Sequence, residues 1–294
     1  MKIVHADEVP VTGSPKVRGG SGHSSQILFD SDLLGRDPSR PDNFFMQISH
    51  VGEGQFKSPR HRHNFEQFRY MIAGEADYPE GVMRDGTLGY FPEGAKYGPQ
   101  EKLVGTVVIL QFGGPSGSGF VDRKLMKAAF EEMKARNTGV YEDGTYYRNP
   151  GVEGPAEQDG NEAMIEWVRK RPMTYPEPQY ATPILIHSEA FPWNPLPGCP
   201  GVAEKALGTF SSGKMRTARF RLDPGASLEA SGRGAWLVLD GTGKAADGPY
   251  RKLSALYLEE GEAAIFTAET PSDILLLGLP AMSLISLVPP GIAS

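Results

Sequence analysis

A single cysteine, Cys199, stands among 294 residues, so no intrachain disulfide framework exists and the thiol content fits a reducing compartment. Cations are also in short supply: 30 Lys and Arg face 36 Asp and Glu, a formal net charge of -6. That balance argues against a nucleic-acid surface, which draws on an excess of Lys and Arg. The densest basic run, Arg169-Lys170-Arg171, reads as a solvated helix end. The opening residues hold no apolar core of signal-peptide length. The most apolar stretch, 274–288, is broken by Gly278 and Pro280 and falls short of the roughly 20 residues that a spanning helix needs. It reads as two closing β-strands, and the expectation is a cytoplasmic protein with no membrane partner. Hydrolase signatures are missing too: no G-x-S-x-G elbow, no H-E-x-x-H helix and no complete phosphate loop, since Arg18-Gly-Gly-Ser-Gly-His23 has no helix behind it.

What the chain has in quantity is turn formers. Its 36 glycines and 25 prolines are too many for a helix-rich enzyme and point to short strands joined by turns. Residues 1 to about 40, rich in Gly, Ser, Pro and Asp, read as an arm wrapping a first β-structure. Strand candidates follow at 43–51, 65–72, 75–78, 87–91 and 106–112, an order that suits a small barrel or jelly roll. The pattern then changes, with amphipathic helices expected at 121–136 and 157–169 and a proline-rich surface connector at about 170–200. A second β series runs through 206–210, 215–222, 235–240, 253–258, 263–267 and 274–277.

The most informative stretch is His61-Arg62-His63, followed by Gln67 and Gly74. On an extended strand alternate side chains share a face, so His61, His63, Phe65, Gln67 and Arg69 would project together, and two imidazoles at i, i+2 can grip one cation. Further on, Gly86 opens a strand, a Pro92-Glu93-Gly94 turn and a return strand carrying Tyr97. These residues resemble the two signature motifs of the cupin superfamily, G…HxHxxxE…G and G…PxG…H. Gln67 stands where that pattern has glutamate and Tyr97 where it has the last histidine; Gly54 lies one position further from His61 than usual. Glu66 is one residue early, which turns it to the opposite face.

The resemblance implies an all-β fold of two cupin-type, jelly-roll-like β-barrels with a short helical insertion between them. The expected segments are 1–120 (arm and first barrel), 121–200 (helical insertion and connector) and 201–294 (second, degenerate barrel). Matching Gly241 to Gly74 puts Leu228, Ala230 and Gly234 at the ligand positions of the second barrel, and matching Gly261 to Gly86 puts Ser272 at the last. None of these makes a metal set. In the first barrel the implied ligands are His61, His63 and Gln67, holding a divalent transition metal, with Fe(II) favoured and Ni, Mn or Zn as alternatives. Arg69, Tyr97 and His50 are the expected substrate contacts, with Tyr97 also the catalytic acid or base. The implied activity is a dioxygenase-type oxidoreductase acting on a small cyclic or aromatic molecule. The alternatives are a metal-dependent lyase or isomerase, and a non-catalytic small-molecule-binding bicupin. The implied partners are a small-molecule substrate and further copies of the chain.

Overall fold

In the computed structural model, residues 1–13, 20–100, 102–117 and 120–284 are described. Arg18 and Gly19 of the early glycine-rich run, Ser118 and Gly119, and 285–288 of the last apolar stretch lie outside them. The chain divides into two compact units: Val11–Leu185 in one, and Met1–Pro10 with 186–284 in the other. Both are built from β-sheet, as expected. Among the described residues no helix is long and apolar enough to cross a membrane.

The unit that begins at Val11 is built on one sheet with the strand order Thr87–Phe91, Glu66–Tyr78, Leu103–Phe112, Phe44–Val51, Ser24–Phe29 and Thr12–Gly13. Glu66–Tyr78 is its central strand, and 66–71 are buried on both faces, as a strand covered on both sides must be. The sequence reading splits this strand at Ile72, whereas the structure keeps it continuous through a bulge between Met71 and Ala73. Beyond the bulge Gly74 pairs with Gly105. Gly74 has φ +108°, and a Cβ there would stand 2.0 Å from the Val104 carbonyl oxygen, so only glycine lets the two backbones approach.

The segment bearing the histidines is not part of that strand. His61 and Tyr97 exchange both backbone hydrogen bonds, at 3.0 and 2.9 Å, as do Ser58 and Gln100, at 2.9 and 2.8 Å, and Gly94 donates to the His63 carbonyl at 2.7 Å. Residues 58–63 therefore pair with 94–100 opposite the main sheet. The chain bends at Asn64-Phe65 before entering the long strand at Glu66. The single extended strand expected across 61–69 is corrected to a corner between two β layers.

Two helices follow, Arg123–Ala135 and Gly160–Arg169. Each starts on an aspartate cap: Asp122 accepts from the Lys124 amide, and Asp159 from those of Asn161 and Glu162. The expected start at 157 moves to Gly160 because 157–159 pairs as a strand with Thr145–Arg148, which also pairs with Gly139–Glu142. Met133, Ala163, Met164 and Tyr146 tie this small sheet to the helices. The proline-rich connector is more regular than expected, with short strands at Ile184–His187 and Asn194–Pro195.

In the other unit a seven-stranded sheet and a four-stranded sheet share one apolar core. Ser227–Ser231 and Ala263–Ala268 alternate exposed and buried residues, the period of two that a half-buried strand demands. Of the expected arm of about 40 residues, Thr12–Gly13 and Ser24–Phe29 join the first unit's sheet, whereas Met1–Pro10 belongs to this unit. Lys2–His5 pairs with Ser254–Leu258, and Arg251 pairs with Asp7 and Glu8.

Candidate functional site

Within the Val11–Leu185 unit a cavity of about 130 Å³ opens between the main sheet and the paired segments 58–63 and 94–100. The strands' alternation decides which residues reach it. Gln47, Ser49 and Val51 line it from one strand, Arg69 and Met71 from the next, and Val107, Ile109 and Gln111 from a third. The bulge after Met71 shifts the phase of the long strand by one residue, so Ala76 and Tyr78 line the cavity as well. His61 and His63 close the opposite side.

The polar end is a network centred on Arg69, which is 8% exposed. Its Nη1 donates to the Tyr78 hydroxyl at 2.5 Å and to Gln100 Oε1 at 3.1 Å; Nη2 donates to the Tyr97 hydroxyl at 3.1 Å, and Nε approaches Gln67 Oε1 at 3.4 Å. The Phe91 ring covers one face of the guanidinium, 4.5 Å from its centroid. Burial pushes the Tyr78 phenol above its ordinary pKa, against the pull of Arg69, so this hydroxyl stays neutral near pH 7. Among the described residues the hydrogen-bond partners of Arg69 are these neutral amides and phenols, and no carboxylate is among them.

His61 and His63 come together, with ring centroids 4.9 Å apart. His61 Nδ1 lies 2.7 Å from the Pro59 carbonyl oxygen, which can only accept; in the neutral ring the proton therefore sits on Nδ1 and Nε2 is left as an acceptor. Gln67 is fully buried behind the cavity wall, its Nε2 donating to the Tyr97 hydroxyl at 2.7 Å while its Oε1 takes Gln111 Nε2 at 3.3 Å. Tyr97 is 1% exposed and packs 4.4 Å from the His61 ring. It buttresses the histidine and the arginine from behind.

Other expected residues fall differently. His50 alternates with Ser49 and Val51, so it faces away from the cavity and bonds across its own sheet to Gln26 Oε1 at 3.0 Å and Thr106 Oγ1 at 3.3 Å. The expectation of a substrate contact there is corrected. Glu66 likewise turns to the outer face, where it accepts from the Tyr90 hydroxyl at 2.6 Å. Tyr78, Gln100 and Gln111 were not anticipated. Gly74 was the available signal for Tyr78, because a glycine inside a strand pattern marks a bulge and a bulge inverts the alternation after it.

The metal that the resemblance implies is not matched by these residues. Among the described residues no group of three His, Cys, Asp or Glu side chains is placed to hold an ion. The third position, Gln67, spends its amide on Tyr97, Gln111 and Arg69. A permanent cation is thus hydrogen-bonded to both residues that would complete the set. Two neutral imidazoles beside a guanidinium give no net negative charge to offset a divalent ion, and the carboxylate of the facial triad that would favour Fe(II) is missing.

The second barrel shows the same architecture with an apolar interior. Leu228 pairs with Phe266 and Ala230 with Ala264, as His61 pairs with Tyr97 in the first. Counted from the Gly261 turn as Tyr97 is counted from Gly94, the place of Tyr97 falls to Ala264, which pairs with Ala230. The expected assignment to Ser272 is corrected, because Gly261 matches the Gly94 turn and not Gly86. Leu228, Ala230 and Phe266 pack in the core with Trp236, and Ser272 bonds to the Tyr250 hydroxyl at 2.9 Å.

No family model and no curated relative matches the chain. Solved structures do. A candidate dioxygenase from Nostoc punctiforme is 12% identical, with 97% of this chain and 85% of that one covered at a TM-score of 0.59. An oxalate decarboxylase from Bacillus subtilis is 14% identical over 95% of this chain and 77% of its own, at 0.54. The formate complex of an oxalate decarboxylase from Lactobacillus farciminis is 13% identical over 95% and 86%, at 0.53. At such identities the likeness speaks for the fold, which is the all-β cupin type expected from the motifs.

Proposed function

We propose that the protein is a small-molecule-binding cupin whose first barrel holds its ligand without a resident metal, and whose second barrel is a structural partner. The observation that carries this reading is the buried Arg69 guanidinium, 3.1 Å from the Tyr97 hydroxyl and 3.4 Å from the Gln67 oxygen. A fixed positive charge stands where a metal centre needs negative donors. In this reading His61 and His63 are polar walls of the pocket. Gln67 and Tyr97 are positioning residues that orient Arg69 and His61, and the ligand meets Arg69 and the imidazoles.

A second reading has specific support: His61 and His63 converge as metal-binding imidazoles do, and the similar structures include a candidate dioxygenase and oxalate decarboxylases. It makes the protein a metal-dependent enzyme, a dioxygenase or a lyase or isomerase. Elemental analysis of protein purified without an affinity tag or added metal separates the two. The expected result is substoichiometric metal and thermal unfolding unmoved by chelator. One equivalent of metal that disappears in the His61→Ala, His63→Ala double variant would establish the second reading instead, and dioxygen uptake would then separate a dioxygenase from a lyase or isomerase.

A further inference from the structure

The first barrel's cavity combines one buried cation with apolar walls, and that combination selects a ligand class. Guanidinium has five N–H donors. Four of them meet the Tyr78, Gln100, Tyr97 and Gln67 oxygens, and all four acceptors are neutral amides or phenols. The remaining donor, on Nη2, has no partner among the described residues, and Arg69 lines the cavity. Neutral acceptors satisfy the geometry of a guanidinium and leave its charge uncompensated, an expensive state for a group 8% exposed. Gln47, Ser49, Gln111, His61 and His63 also line the cavity, and its apolar side is formed by Val51, Met71, Met83, Leu103 and Val107. The volume of about 130 Å³ is close to that of a dry cavity of roughly 150 Å³ that takes benzene.

We infer that the first barrel binds a small monocarboxylate carried on an apolar body of about one ring, with the carboxylate on the open Nη2 edge of Arg69 and the body among Met71, Met83 and Leu103. The inference rests on the metal-independent reading above and names its ligand. A carboxylate supplies the missing counter-charge, and a charge-assisted hydrogen bond of this kind is stronger than any to a neutral oxygen. Phe91 closes one face of the guanidinium to the ligand. The cavity leaves no room for a second ring.

Calorimetric titration with benzoate, its neutral isostere benzamide, and acetate tests this. Benzoate is expected to bind with one equivalent, benzamide about tenfold to hundredfold more weakly, as the loss of a charged hydrogen-bond partner predicts, and acetate weakly because it fills only the polar end. Arg69→Gln should remove benzoate binding. Ala76→Leu, which fills the cavity without touching the network, should lose benzoate and keep acetate, so the inference stays testable if the first variant misfolds. Equal binding of benzoate and benzamide, retention of benzoate by a folded Arg69→Gln protein, or no binding of benzoate by metal-free protein would each overturn it. Chelator treatment keeps the two ideas apart. Benzoate binding that vanishes with chelator overturns the metal-independent reading, and binding that persists supports both.

Discussion

Gln67→Glu is the most informative single change in the first barrel, because it keeps shape and volume and alters charge by one unit. The new carboxylate would stand where Gln67 Oε1 now lies, 3.4 Å from Arg69 Nε and 3.3 Å from Gln111 Nε2, in a position with no exposed surface. At that separation and an effective dielectric of about 20, attraction to the guanidinium is about 5 kcal/mol before solvation is counted. Taking a carboxylate out of water costs several kcal/mol in the other direction. The terms nearly offset, so the single variant should differ from wild type by no more than about 2 kcal/mol. In an Arg69→Met background the same carboxylate is buried without a counter-charge, which costs about 3–5 kcal/mol. The four proteins form a double-mutant cycle with an expected coupling of about 3 kcal/mol or more. Hydrogen exchange across Glu66–Tyr78 isolates the stability of this unit, which a global melt of a two-unit chain would blur. Additivity within about 0.5 kcal/mol would refute the claim that Arg69 sets the electrostatics of position 67. A Gln67→Glu protein that gains stoichiometric metal while the coupling is absent would refute it more thoroughly.

Other consequences are easier to check. Tyr97→Phe strips an acceptor from both Gln67 Nε2 and Arg69 Nη2 and should cost about 1–3 kcal/mol in urea denaturation; unchanged stability would mean that another acceptor replaces it. Leu228→Ala should cost about 2–5 kcal/mol as a core truncation. His61→Ala, beside a cavity, should cost under about 2 kcal/mol, and a larger loss at His61 would contradict its role as a pocket wall. Gly74→Ala drives a methyl into the Val104 carbonyl at positive φ, and a loss of about 3 kcal/mol or more is expected, read as reduced soluble yield and a lowered melting temperature.

Much of the fold was legible because turn formers and alternating apolar residues report β-structure directly. The HxH spacing and the Pro92-Glu93-Gly94 turn located the first barrel's pocket. His50 misled because a histidine near a mouth is attractive, while its parity relative to Ser49 and Val51 already turned it outward. The arginine network was only half visible: Arg69 could be placed on the inward face, but Tyr78 required the phase shift of the bulge. Gln100 required the pairing of 58–63 with 94–100, a long-range fact that local periodicity does not carry. The pairing of Lys2–His5 with Ser254–Leu258 is of the same kind, since a four-residue strand advertises no partner.

That pairing has a consequence in time. Residues 2–5 are made about 250 residues before the strand they pair with, which at 5–20 residues per second is a wait of roughly 10–50 s. During that interval Val11–Leu185 has been synthesised in full and can close its barrel through contacts of its own, while the opening segment stays a tethered, unpaired strand. The nascent chain thus carries an exposed hydrogen-bonding edge throughout that wait. Co-translational proteolysis, or a fusion placed ahead of Lys2, would be felt by the last barrel to fold and not by the barrel that follows it in sequence.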